Sequence, residues 1–346
     1  MSLILVDSFD GYTSAEIPNY WTDLSAGGPA SINTSQQRTG IGCMAPQPDG
    51  VRRYMGGQSA VIIAAAIKST TTQATVIVFQ KHIPFTSIFT VQTALVIQAD
   101  GTLGIQLGLF GPIVASTDPK YPVQPGVYSY IEWKTGFNHG AQNEIRIEGQ
   151  VVFSGVVDCQ VTTDPGADNF VLHGVGGGDA NYFDDFYLLR TDDALGLVDF
   201  VGDSMVFNRM PSSDGTALDW TPNPVVAHYL NVTEIPCDLD ITRNTSPGST
   251  KKDAYFVSPA LNANDTIKAA QVVQAVRGDN QNTQTYLIVN GTVFQNTTNQ
   301  FNAPGTYFPA HFAIFEHDPT LHDANPDNNV WTPANFNATQ WGIQEV

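Results

Sequence analysis

Gly and Pro interrupt nearly every window of this chain in which a helix could run. Its 346 residues include 30 Gly and 21 Pro. Between these breaks lie short runs rich in Val, Ile, Thr, Phe and Tyr, which fit a pleated surface and, bounded by turn residues, predict strands. Gln73–Gln80 (QATVIVFQ) is one such run. Tyr128–Lys134 alternates, with Tyr128, Tyr130 and Glu132 on one side and Ile131 and Trp133 on the other. Asp100-Gly101, Gly149-Gln150 and Asn290-Gly291 lie between apolar runs as hairpin turns. Tyr54–Gln58 (YMGGQ) reads as a glycine turn, Val198–Val206 as a strand, and Ile267–Arg277 as a longer one whose length and Ala leave helix open. About a dozen strands at the spacing of a sandwich, with no convincing amphipathic helix, predict an all-β chain.

Hydrophobic content of 42% against 14% charged residues gives enough apolar surface for two ordinary domains, each with its own core. Fifteen basic against 33 acidic residues leave a net charge of -18. A surface that acidic repels phosphate backbones, which excludes nucleic acid as a partner. No run approaches the ~20 apolar residues of a membrane span, so no membrane insertion is expected. Leu3–Val6 is ended by Asp7 and has no basic flank, so it is not a signal peptide. Cys43, Cys159 and Cys237 are far apart and form no C-x-x-C pair, as expected of reduced thiols.

The stretch Asn181–Ser204 organises the rest. Tyr182–Leu189 is an apolar run carrying adjacent acids, Asp184 and Asp185. Thr191–Gly196 breaks it, and Leu197–Val201 leads into Gly202-Asp203-Ser204. The expected division is therefore a jelly-roll domain over 1–190, a linker over 191–196 and a second β-sandwich over 197–346. Closing a jelly roll requires strands near its two ends to pair, and the opening ILVDSFD and closing YFDDFYLL fit that need. Asp184 and Asp185 are expected to accept hydrogen bonds from turn amides.

Several blocks, in order, resemble a family of phage virion proteins with an N-terminal concanavalin A-like, laminin G-like sandwich. They are Asp7–Tyr12 (DSFDGY), Tyr130–Lys134 (YIEWK), Phe183–Leu189 (FDDFYLL), Phe200–Val206 (FVGDSMV), Ser213–Pro222, Ala254–Ser258, Gln271–Arg277 and Trp331–Gln344. The resemblance implies a concanavalin A-like jelly roll followed by a second β-sandwich, and a non-enzymatic tail, fibre or capsid-surface component acting by protein–protein adhesion. It implies assembly on other virion proteins and location in the virion after synthesis in the host cytoplasm. Symmetric positions favour a homo-oligomer, with a trimer as the expected form. The alternative is an appendage that binds a host surface glycan or receptor.

Four kinds of chemistry compete with that expectation. Gly202-Asp203-Ser204 resembles the opening block of the SGNH hydrolases, which makes Ser204 a candidate esterase nucleophile. Acyl transfer also needs a base and oxyanion donors. The nearest acid–base pair, Asp318 to His322, is one residue too long for that family's D-x-x-H, although His311 and His317 are also near in sequence. Asp323, Asn325 and Asp327 alternate as calcium ligands do, but the EF-hand pattern fails at Asn328 and Ala334, so no cofactor is expected beyond this Ca2+ candidate. Glycoside hydrolysis needs two carboxylates, and Glu132 is the best single one. Trp21, Trp220 and Trp331 stand among polar residues as candidate sugar-stacking aromatics.

Overall fold

The computed structural model describes residues 3–24, 29–83, 86, 88–191, 199–234, 241–277, 281–295, 301–303, 308–321 and 329–346. Contacts divide the chain into two units, Met1–Phe207 and Asn208–Val346.

The first unit is a two-sheet antiparallel sandwich. Its strands are β1 (Leu3–Asp7), β2 (Thr22–Asp23), β3 (Ser31–Asn33), β4 (Cys43–Ala45), β5 (Val51–Gln58), β6 (Ala60–Ser69), β7 (Ala74–His82) and β8 (Phe89–Ile97). They continue as β9 (Leu103–Leu107), β10 (Ile113–Ser116), β11 (Ser129–Gly136), β12 (Ala141–Ile147), β13 (Gln150–Val157), β14 (Ala167–Leu172) and β15 (Asn181–Arg190). One sheet runs β13-β12-β11-β6-β15-β4-β3, with β1 also paired to β15; the other runs β10-β9-β8-β7-β14-β5-β2. The two ends meet as the jelly roll requires, Leu5 opposite Leu188 and Asp7 opposite Phe186. Between the sheets Ile131, Trp133, Phe79, Phe170, Phe183 and Phe186 form one buried cluster with Trp21. The alternation in β11 thus sends Trp133 inward and Glu132 to the outer face.

The hairpins at Asp100-Gly101 and Gly149-Gln150 form as expected, joining β8 to β9 and β12 to β13. Tyr54–Gln58 is not a turn. β5 runs through it, and its register against β14 slips around Gly56 and Gly57, with Gly56 at φ 75. The glycines therefore serve a bulge inside a strand.

Residues 199–206 are not a strand either. They lie against the outer face of the eight-stranded sheet, held by acids of β11 and β15. The register of β15 shifts between Asp184 and Tyr187, and Asp185 sits at φ 49, so one extra residue turns both acids away from the core. Asp184 accepts the backbone N–H of Arg38 at 2.7 Å and of Thr39 at 3.0 Å. Asp185 accepts the N–H of Val206 at 2.7 Å and the hydroxyl of Thr39 at 2.7 Å. Arg38 bridges Asp185 at 3.3 Å and Asp203 at 2.6 Å. Glu132 accepts the Gly202 N–H at 2.8 Å and the Tyr187 hydroxyl. The Phe200 ring lies 3.9 Å below the Arg146 guanidinium. The expected role of Asp184 and Asp185 as acceptors for turn amides is what the geometry shows.

The second unit contains β16 (Met210–Leu218), β17 (Thr221–Asn223), β18 (Arg243–Thr245), β19 (Lys252–Ser258), β20 (Ala270–Val276), β21 (Gln281–Val289), β22 (Thr292–Gln295), β23 (Phe301–Ala303), β24 (Phe308–Phe315) and β25 (Gln340–Glu345). A six-stranded sheet, β16-β19-β25-β21-β22 with β23 beside β21, accompanies the pairs β20-β24 and β17-β18. Ala270, Leu287, Val289, Trp331 and Trp341 form its largest described apolar cluster. Asn290-Gly291 makes the expected hairpin, with φ of 51 and 79, the positive values a type I′ turn needs. A short helix unforeseen in the sequence, Pro333–Ala338, starts on Thr332, whose Oγ1 accepts the Asn335 N–H at 3.1 Å.

Two outcomes test this packing. Phe186 stacks on Phe170 at 5.3 Å and meets the edge of Trp21 at 6.1 Å. Phe186→Ala is expected to destabilise the first unit by about 3–5 kcal/mol, read by urea denaturation. The second concerns Asp184. Burial raises its carboxyl from 3.8 to about 7, against the lowering effect of its amide donors. Between those values the unfolded chain binds fewer protons than the folded one, so this group costs stability progressively as pH rises. Asp184→Asn is expected to show a smaller loss of melting temperature than the parent between pH 4 and 7; equal slopes would contradict the assignment.

Candidate functional site

Ser204, the candidate nucleophile, belongs to the segment held on the outer face of the first sandwich. Its neighbour Asp203 is taken by Arg38. Asp318, the acid of the Asp318–His322 pair that the sequence offers to Ser204, lies in the second unit. There its Oδ1 accepts from Thr320 and its Oδ2 from Asn335 at 2.7 Å. His322 lies outside the described residues, as do Asp323, Asn325 and Asp327. Among the described residues no three His, Cys, Asp or Glu side chains converge as a metal site. Glu132 is fully buried under Gly202, in no position to attack a sugar.

The three tryptophans separate. Trp21 is 2% exposed in the core, its Nε1 donating to the Tyr12 hydroxyl at 2.9 Å. Trp331 is also 2% exposed and packs on Trp341 and Phe336. Neither offers a ring face to a ligand. Trp220 is half-buried; its Nε1 donates to the Lys251 carbonyl at 3.1 Å.

Near Trp220 the second unit holds a polar network with no signal in the sequence. His228 Nδ1 lies 3.0 Å from both oxygens of Asp253, and Tyr255 and Asn244 donate to the same carboxylate at 2.7 and 3.0 Å. Burial raises the Asp253 carboxyl, and the His228 contact opposes that rise. His228, Tyr255 and Asn244 converge on Asp253, as a buried carboxylate requires, and Asn244 also donates to the His228 carbonyl at 2.9 Å.

The arrangement with most ligand-facing chemistry lies on the outer face of the seven-stranded sheet. In β5, Arg53 points inward over Trp21 at 5.6 Å, so the alternation turns Arg52 and Tyr54 outward. Register carries that face across the sheet: Arg52 is opposite Val171, and Tyr54 opposite Asn169. Val171 and Asn169 in turn face Val78 and Gln80 of β7. Val78, Ala94, Val96 and Val171 pack as an apolar cluster with Leu24 and Val91. The Arg52 guanidinium lies 4.0 Å over the Phe89 ring, and His82 is 5.0 Å from that same ring. Tyr54 is 70% exposed.

His82 Nε2 is 2.6 Å from the Thr86 carbonyl. A carbonyl only accepts, so the proton is assigned to Nε2 and the neutral ring keeps Nδ1 as acceptor. A cation, an imidazole acceptor and an exposed phenol thus share one face. The sequence reading missed all of them. The signal was the period-2 alternation of Arg52 and Tyr54, masked by the glycines that follow.

No protein-family model matches the chain, and no curated protein does. Among solved structures it is similar to the cellulose induced protein Cip1, at 15% identity, over 58% of this chain and 100% of that one, with a TM-score of 0.40. It is similar to an endo-β-1,4-glucuronan lyase from the fungus Trichoderma reesei at 13% identity, over 50% of this chain and 90% of that one, TM-score 0.38. The alginate lyase Aly36B is similar at 12% identity, over 54% and 96%, TM-score 0.35. At such identities the likeness concerns fold alone, a β-sandwich of jelly-roll type. The expectation of a non-enzymatic bacteriophage virion component or host-attachment appendage is corrected here. No family model matches the chain, and the solved structures it is similar to include polysaccharide lyases and a sialidase.

Proposed function

We propose that this protein is a carbohydrate-active enzyme that takes an anionic, uronate-bearing polysaccharide across the outer face of its seven-stranded sheet. The observation that carries this reading is the row Arg52–Phe89–His82 beside exposed Tyr54. A guanidinium pairs a carboxylate through two parallel N–H donors. The ring beneath Arg52 holds it in one orientation, so less freedom is lost on binding. An exposed phenol on the same strand gives a sugar an aromatic surface to rest on.

The same groups supply a β-elimination. Arg52 neutralises the uronate carboxylate, which acidifies the proton on the adjacent carbon. His82 Nδ1 takes that proton. The electron pair left behind forms the C4–C5 double bond as the C4–O4 glycosidic bond breaks. Tyr54 supplies a proton to the departing oxygen, and the phenolate and imidazolium then exchange a proton through solvent. The cation counts most, because charge accumulates on the carboxylate as the proton leaves.

Incubation with polyglucuronate and polymannuronate, followed by the ultraviolet absorbance of the new double bond, tests this. Arg52→Ala is expected to lower the rate by about 10²-fold or more. His82→Ala is expected to abolish the absorbance change while leaving polymer binding in place. A folded parent chain that neither retains nor shortens either polymer would overturn the reading.

A further inference from the structure

At the rim of the first sandwich, where the loop after β4 meets the loop between β14 and β15, lies a cleft of about 400 Å3. That is the volume of sites that enclose a small organic ligand. Its shape depends on a close approach. A Cβ on Gly174 would lie 2.2 Å from the carbonyl oxygens of both Pro46 and Gln47, so only glycine lets the two loops touch there. Beyond the contact the chain opens through Gly176, Gly177 and Gly178. Gly177 and Gly178 have φ of 77 and 99, and nothing lies within 4 Å of where their side chains would stand. The backbone at Gly177 and Gly178 is therefore uncovered, while a Cβ on Gly176 would meet the Pro48 ring at 3.2 Å.

The lining has a definite chemistry. Tyr182 presents a half-buried ring, braced by the Lys68 ammonium at 5.7 Å. Asn33 commits its Oδ1 to the N–H and hydroxyl of Ser35, both at 2.9 Å, so its amide N–H2 is what it can offer. Gln47 adds a second carboxamide and Ser31 a hydroxyl. The charged side chain of the lining is Asp179, whose Oδ1 accepts from Thr70 at 3.2 Å. Among the described residues, no cation belongs to the lining itself. In a chain of net charge -18, that disfavours an anionic ligand. Paired donors and acceptors around one aromatic ring suit a ligand made of hydroxyl groups on an apolar ring.

We infer that this cleft is a second saccharide site, selective for a neutral oligosaccharide and separate from the anionic face around Arg52. Asp179 and the carboxamides bind hydroxyls, the glycine run contributes backbone N–H and C=O groups, and Tyr182 packs against a sugar ring.

Saturation-transfer NMR and calorimetry on the full chain, with neutral gluco-, manno- and galacto-oligosaccharides as probes, test the inference. At least one series is expected to bind. Tyr182→Ala and, separately, Asp179→Ala are each expected to weaken that binding about tenfold or more, with the melting temperature of Asp179→Ala unchanged. Arg52→Ala is expected to leave neutral-sugar binding intact, so failure at the anionic face and failure at the cleft are read independently. Absence of binding to every neutral series would overturn the assignment, as would binding that survives Asp179→Ala and Tyr182→Ala together, or binding lost in Arg52→Ala.

Discussion

Carboxylates held on the dry outer side of a sheet oblige the rest of the chain to come to them. Asp184, Asp185 and Glu132 are all fully buried, and a buried charge is tolerated only where donors converge on it. The donors come from far away in sequence. Arg38 and Thr39 arrive from the loop before β4, and Gly202 and Val206 from the segment after β15. Pairing alone would not fix where these two irregular segments run; the acids do. The bulge at Asp185 is part of the same device, since without the extra residue one of the two adjacent acids would face the core.

What the sequence made legible was whatever depends on period 2 and on turn chemistry. The alternation of Tyr130, Ile131, Glu132 and Trp133 survived intact, as did the three hairpins and the pairing of the first strand with Tyr182–Leu189. Two misreadings share one cause. Val198–Val206 has the apolar, β-branched composition of a strand, yet its described part finds its partners in side-chain carboxylates instead of a neighbouring backbone. Tyr54–Gln58 has the glycines of a turn, yet they accommodate a bulge. Composition reports what a backbone can adopt, and the hydrogen-bond partner that decides between options is set by tertiary contact.

The candidate site was less legible than the fold for a related reason. Trp21, Trp220 and Trp331 look alike in sequence, each among polar neighbours, but packing consumes two of them completely. Arg52 and Arg53 are adjacent and identical in kind. Only the strand parity established by Trp21 and Phe170 sends Arg53 inward and leaves Arg52 on the outer face. His82 and Phe89 meet because β7 and β8 pair in a register that places them opposite each other. A site assembled from single residues on separate strands leaves no local motif, so its first trace appears with the register.

Net charge and local charge then point in different directions, and the difference bears on specificity. A chain at -18 repels a polyanion at distances beyond a few solvent layers, and salt within about 8–10 Å screens that repulsion. An anionic polymer is therefore held only where a cation is oriented and its competitors are occupied elsewhere. Arg38 is committed to Asp185 and Asp203, and Lys81 to Asp164 and Asp168. Arg146 lies over Phe200 and bonds Glu144. The partner of Arg52 is the face of an aromatic ring, which orients a guanidinium without neutralising it; Lys120 and Lys252 likewise lie over the rings of Tyr121 and Tyr286. Burial lowers the affinity of Arg52 for its proton, yet a guanidinium remains charged at any ordinary pH. On a surface where acids outnumber bases, a cation left in that condition is one to which a carboxylate can bind without first displacing another.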